Sequence, residues 1–212
     1  MGDRLRPLWD FDDLDVSESR FRTQLENEQS DEGRAEVLTQ LARGQGLRDQ
    51  FAEGHRLLDE AAALAGPSVI AHIRIKLERG RLRRSSGDVA GALPLFESAY
   101  ETALDAGEQF LAADAAHMAA LAAPDRQAML AWTEKGTRIA EASSDPQVSY
   151  WLGPLLNNLG SAYMDSGDFE AALDNFQRAL DVRKRYPDNP KAIQFAKEAV
   201  AEAMAALGRA AP

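Results

Sequence analysis

Apolar residues near the C-terminus recur every three or four positions on both sides of a Gly-Asp pair. The first set is Leu152, Leu156, Leu159 and Tyr163, and the second is Phe169, Leu173, Phe176 and Leu180. This spacing places each set on one face of an α-helix. Gly167 and Asp168 lie between the two sets and mark a turn. The pattern therefore predicts two helices packed against each other as a hairpin.

The same segment carries a longer motif. It consists of Leu156-x2-Leu159-Gly160-x2-Tyr163, then Ala172-x3-Phe176, with Pro187 after the second helix. This motif resembles the tetratricopeptide repeat (TPR), whose pattern of about 34 residues is W-x2-L-G-x2-Y…A-x3-F…P, with Leu156 here in the Trp position. The resemblance implies a helix hairpin that stacks with others into a right-handed α-α superhelix, a TPR-like solenoid.

Three weaker copies of the motif precede the clear one. Each copy has a small residue where its two helices would cross closely; the four are Ala42, Gly80, Ala116 and Gly160. In the last three copies an aromatic residue follows at constant spacing, and these are Phe96, Trp132 and Phe176. We expect the three aromatic side chains to be mostly buried between successive hairpins, since a single hairpin cannot bury its own apolar faces.

The copies divide the chain into an all-α array with helices at both ends. Residues 1–31 are expected to form an N-terminal arm and a capping helix, and residues 187–212 a C-terminal capping helix. The four hairpins between them are predicted at about 32–66, 67–106, 107–143 and 146–186. No useful alternation of apolar and polar residues is present, so about ten helices and no sheet are expected.

Composition excludes several classes of function. The net charge of −10 disfavours nucleic acid as a partner, because phosphate binding depends on clustered cations. The absence of Cys excludes disulfides, a thiol nucleophile and a Cys-based zinc site. No secretory signal, lipidation motif or membrane span is recognised, so a cytoplasmic location and no membrane partner are expected.

Catalytic and metal-binding patterns are not recognised either. His55, His72 and His117 fall in different units without the spacing of metal ligands. No carboxylate pair stands in an apolar context, and no Gly-rich phosphate loop follows a strand. The sequence therefore predicts a non-enzymatic protein with no catalytic residue, metal or cofactor.

A basic island interrupts the acidic chain between Arg74 and Arg84. In TPR arrays the first helix of each unit lines a concave groove that binds extended peptides, and the resemblance assigns groove positions here. The candidate groove residues are Arg43, Arg74, Arg81, Arg84, His117, Asn157 and Asn158. The alternatives are an acidic peptide bound by these arginines and a merely solvated basic face. If the groove is basic, charge reversal at Arg74 and Arg81 should abolish binding without changing helical content.

The C-terminal unit also resembles the longer repeats of kinesin light chains, which bind peptides carrying a Trp flanked by acids. The chain contains such a string itself, from Leu8 through Trp9 and Phe11 to Asp13. Two placements are open for it. Trp9 and Phe11 either cover the open apolar end of the first hairpin, or the acidic stretch Asp10 to Asp15 occupies the groove.

The function predicted from these patterns is a non-catalytic scaffold that binds a protein or peptide in the groove. Two alternatives remain at this point: a sensor for a small anionic ligand or signalling peptide, and a regulatory subunit of an enzyme encoded elsewhere.

Overall fold

A computed structural model describes residues 3–187 and 189–209. Over these residues the chain forms helices and no strand. The elements are a 3-10 turn at Arg6–Leu8, then α1 Leu14–Asn27, α2 Asp31–Leu47, α3 Phe51–Leu64, α4 Val69–Ser85, α5 Val89–Asp105, α6 Gln109–Leu121, α7 Arg126–Ala142, α8 Pro146–Ser149, α9 Leu152–Asp165, α10 Phe169–Lys184 and α11 Pro190–Ala206.

Consecutive long helices pack as pairs. The pairs α2–α3, α4–α5, α6–α7 and α9–α10 form hairpins, and each hairpin packs against the next one along the chain. Helix α1 packs on α2 at one end of the array, and α11 packs on α10 at the other. The prediction of an all-α, TPR-like helical solenoid is confirmed.

The turns inside the second and fourth hairpins have a shared local cause. Gly87 and Gly167 have φ angles of 98° and 76°, a region that glycine adopts without the steric cost of a side chain. The following residues, Asp88 and Asp168, accept a hydrogen bond from a backbone N–H in the first turn of the next helix. A Gly-Asp pair thus ends one helix and begins the next.

Two aromatic side chains fill the space between the helices of their hairpins. Phe96 and Phe176 are buried, and each lies against the small residue on the preceding helix. A Cβ added at Gly80 or Gly160 would lie 2.4 Å from the facing ring. The small residues are therefore required for the helices to approach this closely.

The third hairpin departs from the predicted register. Four residues, 122–125, connect α6 to α7, where three connect the helices of the hairpins on either side, 86–88 and 166–168. The extra residue turns α7 by one position, so that Thr133 is fully buried and Trp132 only partly. Trp132 lies edge-on to Tyr100 and beneath Lys135, whose Nζ is 3.7 Å from the ring centroid. Trp132 is thus mostly buried, as predicted, but less completely than Phe96.

Candidate functional site

The first helices of the hairpins line one groove. Helix α2 contributes Gln40 and Arg43 to it, while α4 contributes Arg74, Glu78 and Arg81. Residues of α6 and the beginning of α9 continue the surface; they are Phe110, Leu111, Asp114, His117, Met118 and Pro154. The helices that the TPR resemblance assigns to a groove therefore do share a concave surface.

The N-terminal arm, residues 3–13, lies over this groove. The Asp3 carboxylate accepts two hydrogen bonds from Arg74, with Nη2–Oδ1 at 2.6 Å and Nη1–Oδ2 at 3.2 Å. The Asp3 backbone N–H donates to Oε1 of Gln147, at a distance of 2.5 Å. Because Gln147 lies on α8, the start of the arm bridges the second hairpin and this short helix, which precedes the fourth hairpin.

The middle of the arm is anchored by Trp9. Its Nε1–H donates to Oε1 of Gln40 at 2.9 Å, and its ring stacks on Phe11 with centroids 4.8 Å apart. The Arg43 guanidinium lies over both rings, 5.4 and 5.5 Å from their centroids. Trp9 also contacts Phe21 of α1 edge-on. The same side chain therefore covers the end of the first hairpin and also lines the groove.

The acids that follow Trp9 contact residues outside the basic island. Asp12 pairs with Lys191 of α11 at 2.7 Å, and Asp15 pairs with Arg48 at 2.6 Å. Asp13 caps the N-terminus of α1. The acid of the arm that reaches the basic island is therefore Asp3, and the stretch from Asp10 to Asp15 contacts other parts of the chain.

Within the basic island, two arginines face the groove and both are paired. Arg74 is buried and contacts Glu36 at 3.3 Å in addition to Asp3. Arg81 donates to Oε1 of Glu78 at 2.8 Å and to Oδ1 of Asp114. These acids neutralise most of the charge that the two arginines would otherwise present to a ligand.

The other cations of the island point to different neighbours. Lys76 donates to Ser98 and Thr102 of α5, and Arg79 donates to Asp59 of α3. Arg83 lies 3.5 Å from Asp88 in the turn. The island is therefore dispersed around α4 and does not form one basic surface.

The remaining predicted groove residues fall into two groups. Arg43 and His117 line the groove, and Asn158 joins them through a 3.2 Å contact between its Nδ2 and His117 Nδ1. Arg84 donates to the Leu121 carbonyl at 3.2 Å, so it ties together the ends of α4 and α6 outside the groove wall. Asn157 is partly buried and is not among the groove-lining residues.

Burial controls the protonation of the groove residues. Desolvation, with repulsion from Arg81, lowers the pKa of Arg43 to about 10, so the guanidinium is still charged at neutral pH. Desolvation also lowers the pKa of His117 to about 4, so its imidazole is neutral there. Burial would raise the pKa of Asp3, but the ion pair and hydrogen bonds with Arg74 outweigh it and the pKa is lowered.

A cavity of about 240 Å³ remains between the arm and the helices. Its wall includes the aromatic rings of Trp9, Phe11, Phe110, Tyr150 and Trp151. Glu78 Oε2 and Trp151 Nε1 are buried and have no hydrogen-bond partner. Sequence reasoning missed these two residues and Gln40, although Glu78 stands out as the single acid of the basic island.

Among the described residues, no group of three or more His, Cys, Asp or Glu side chains is arranged to hold a metal ion. No helix among them has the length and apolar character needed to cross a membrane.

Comparisons with known proteins agree with the geometry. Residues 154–186 match the family model described as tetratricopeptide repeat. The chain is similar in structure to a crystal structure of a putative kinesin light chain from Podosopora anserina with nearly identical TPR-like repeats. The two chains are 18% identical, the TM-score is 0.63, and the match covers 85% of this chain and 90% of the other. A search of curated proteins gave no match. Residues 154–186 thus match a tetratricopeptide repeat, and the chain shares the TPR-like helical fold.

Proposed function

We propose that this protein is a non-catalytic scaffold that binds a peptide segment of a partner protein in the groove of α2, α4, α6 and α9. The observation that supports this most is the N-terminal arm itself. An irregular segment is held in the groove by a buried ion pair, a Trp N–H hydrogen bond and stacked aromatic rings. These are the contacts by which a groove recognises a peptide in trans.

The contacts also define the chemistry of the partner segment. Arg74 binds a carboxylate, and the face of Arg43 binds aromatic rings. The preferred segment accordingly carries an acid several residues before a Trp, as the arm does with Asp3 and Trp9. We propose Arg43, Arg74, Arg81, His117 and Asn158 as the residues that form this surface, with Arg84 and Asn157 at its margin.

Binding of a partner then requires the arm to leave. A labelled peptide with the sequence of residues 3–15 tests this by fluorescence anisotropy. It should bind at least about tenfold more tightly to the chain carrying Asp3→Ala and Trp9→Ala than to the unaltered chain, because the altered arm no longer competes.

A peptide carrying Trp9→Ala is the matched control and should bind neither chain well. Circular dichroism of the doubly substituted chain verifies that its helices persist. Equal affinity for the two chains would rule out competition by the arm, and failure of the peptide to bind either chain would rule out the groove as its site.

The sensor is the second candidate, and the cavity beneath the arm is the observation that supports it. A groove that binds an extended peptide is open along its length, whereas the arm closes one side of this cavity. The cytoplasmic location stays a prediction from the sequence.

A further inference from the structure

Two arginines in the wall of the cavity beneath the arm have no acidic partner among the described residues. Arg6 belongs to the arm and Arg43 to α2, and both line the cavity. The Arg6 guanidinium lies over the rings of Phe11 and Tyr150, 4.9 and 5.1 Å from their centroids. Arg43 likewise contacts aromatic rings, those of Trp9 and Phe11. Neither side chain makes a hydrogen bond or an ion pair within the described part of the chain.

A ligand in the cavity can reach both guanidinium groups. Arg6 and Arg43 are partly exposed, and none of their nitrogen atoms is among those that are sealed from solvent without a partner. An aromatic ring contacts the face of a guanidinium, so the N–H groups at its edge remain available to oxygen acceptors. This planar arrangement of donors is the one that binds phosphate and carboxylate groups.

The two guanidinium groups also lie near each other. Both Cζ atoms are within 5.5 Å of the Phe11 centroid, so their separation is at most twice that distance. Desolvation and then repulsion from other arginines, Arg6 among them, lower the pKa of Arg43. A bound anion would relieve this repulsion and compensate the desolvated charge.

The acids in the cavity wall are already bound to other arginines. Asp3 accepts hydrogen bonds from Arg74, while Glu78 and Asp114 both accept from Arg81. The wall contains four arginines and three acids in total, so an excess of positive charge remains even when every acid is ionised. The accessible and unpartnered groups of the cavity therefore favour an anion.

Size and lining limit the rest of the ligand. The cavity has a volume of about 240 Å³, below the range of about 300–1,000 Å³ that is typical for drug-sized ligands. A cavity of about 150 Å³ already holds benzene, so one ring and a charged group fit here. The rings of Phe110, Tyr150 and Trp151 line the cavity and favour an aromatic or apolar group.

We propose that this cavity binds a small phosphate monoester whose organic group is aromatic or apolar. The phosphate lies between the guanidinium edges of Arg6 and Arg43, and the organic group lies among the rings of the wall. A phosphate monoester carries a charge of about −1.5 to −2 at pH 7, which matches two arginines. A single carboxylate would match only one of them.

The bound phosphate would join the arm to the groove, because Arg6 belongs to the arm and Arg43 to α2. This inference rests on the sensor, the second candidate function, and names the class of ligand that the sensor would detect. The ligand stabilises the closed position of the arm, since it contacts both arginines only in that position.

Isothermal titration calorimetry on the full chain in phosphate-free buffer tests the ligand class, with phenyl phosphate as the probe. Benzoate has the ring and one negative charge, benzyl alcohol has the ring without charge, and inorganic phosphate has the charge without the ring. Phenyl phosphate should bind, and each of the other three compounds should bind at least about tenfold more weakly.

Two substitutions test the residues. Arg6→Gln and Arg43→Gln should each weaken phenyl phosphate at least about tenfold, because each removes a charged donor. Arg83→Gln removes the same charge from an exposed side chain that pairs with Asp88 outside the cavity, so it is the matched control and should leave the affinity unchanged. Circular dichroism verifies that the helices persist in all three variants.

Hydrogen–deuterium exchange tests the effect on the arm. Saturating phenyl phosphate should slow the exchange of backbone N–H groups in residues 3–13 of the unaltered chain, and this effect should be lost in Arg6→Gln. Unchanged exchange in the unaltered chain with bound phenyl phosphate would contradict a ligand that joins the arm to the groove.

Other results would overturn the ligand class. No binding of phenyl phosphate at about 10 mM would do so, as would full affinity in both Arg6→Gln and Arg43→Gln. If benzoate or inorganic phosphate bound as tightly as phenyl phosphate and slowed exchange in the arm, the sensor would stand and the phosphate monoester would be wrong. The peptide assay contains no phosphate compound, so the scaffold proposal can fail or stand independently.

Discussion

Asp3 and Arg74, 71 positions apart in the sequence, form a two-point ion pair at the base of the groove. Both side chains are 6% exposed. A charge held this far from water is stable only while its partner stays, and removing one member of such a pair typically costs about 3–5 kcal/mol. The contact therefore couples the position of the arm to the stability of the second hairpin.

Replacing Asp3 by Ala should destabilise the protein by about 1.5–3 kcal/mol, the range for a hydrogen bond to a charged group. This loss is smaller than the loss expected for a buried charge with no partner, because Arg74 keeps its contact with Glu36 at 3.3 Å. Urea unfolding measures it. Asp12→Ala removes another acid of the arm, but its pair with Lys191 is exposed and should contribute less than about 1 kcal/mol. Equal losses in the two variants would contradict the buried pair.

Stability should fall as the pH decreases from about 6.5 to about 4 because of His117. The folded imidazole has its pKa lowered to about 4 by burial, whereas the unfolded one takes up a proton near its ordinary value of 6.5. In that window the unfolded chain binds more protons, which favours unfolding. Asp3 does not oppose this, because its stabilisation is complete above its ordinary pKa of 3.8 and is lost only at lower pH.

Urea unfolding at several pH values, with His117→Gln as the test variant, isolates this contribution. Gln keeps an acceptor for Asn158 and does not titrate, so the decline between pH 6.5 and 4 should become shallower. His72→Gln, at an exposed position, is the control. A decline in His117→Gln as steep as in the unaltered chain would show that other groups cause it.

The aromatic residues of the hairpins should differ in their contribution to stability. Phe96→Ala should cost about 3–5 kcal/mol, because the ring is fully buried against Gly80 and leaves a cavity. Trp132→Ala should cost at most about half of that, since this ring is only partly buried. Thermal unfolding of the two variants side by side measures the difference. A larger loss of stability for Trp132→Ala than for Phe96→Ala would support the helix register that the motif alignment predicted.

The fold was predictable because its signals are local. Helical spacing, a Gly-Asp turn and small residues at the crossings are each visible within about ten positions, and they specify hairpins such as the one around Gly167. The register of α7 was not predictable in this way. One additional residue in the connection 122–125 leaves the periodicity intact while it turns the whole helix.

The groove was predicted in part. Alignment to the repeat assigns Arg43, Arg74, Arg81 and His117 to the first helices of their hairpins, and these four residues line the cavity there, while their role in binding stays a prediction. The alignment does not indicate which acidic residue, far away in the sequence, forms an ion pair with each arginine. The pairs with Asp3 and Asp114 depend on tertiary packing, and they remove most of the basic character expected of the island.

These pairs also change the mutational test that the sequence suggested. Charge reversal at Arg74 and Arg81 would place acids beside Asp3, Glu78 and Asp114 in a buried region. We now expect the double reversal to unfold part of the array, visible as lost helical ellipticity, so it cannot report on binding alone. Retained ellipticity in that variant would contradict the buried pairing.

The central claim, that the arm occupies the peptide groove and gives way to a partner segment, is tested most directly by a distance measurement. The chain has no Cys, so spin labels attach only where Cys is introduced. Pro7→Cys on the arm and Glu134→Cys on α7 are exposed positions for double electron–electron resonance. We predict one narrow distance distribution for the free chain and a broad, longer one when the peptide of residues 3–15 is added in excess. A broad distribution without peptide, or a narrow one unchanged at saturating peptide, would contradict the claim.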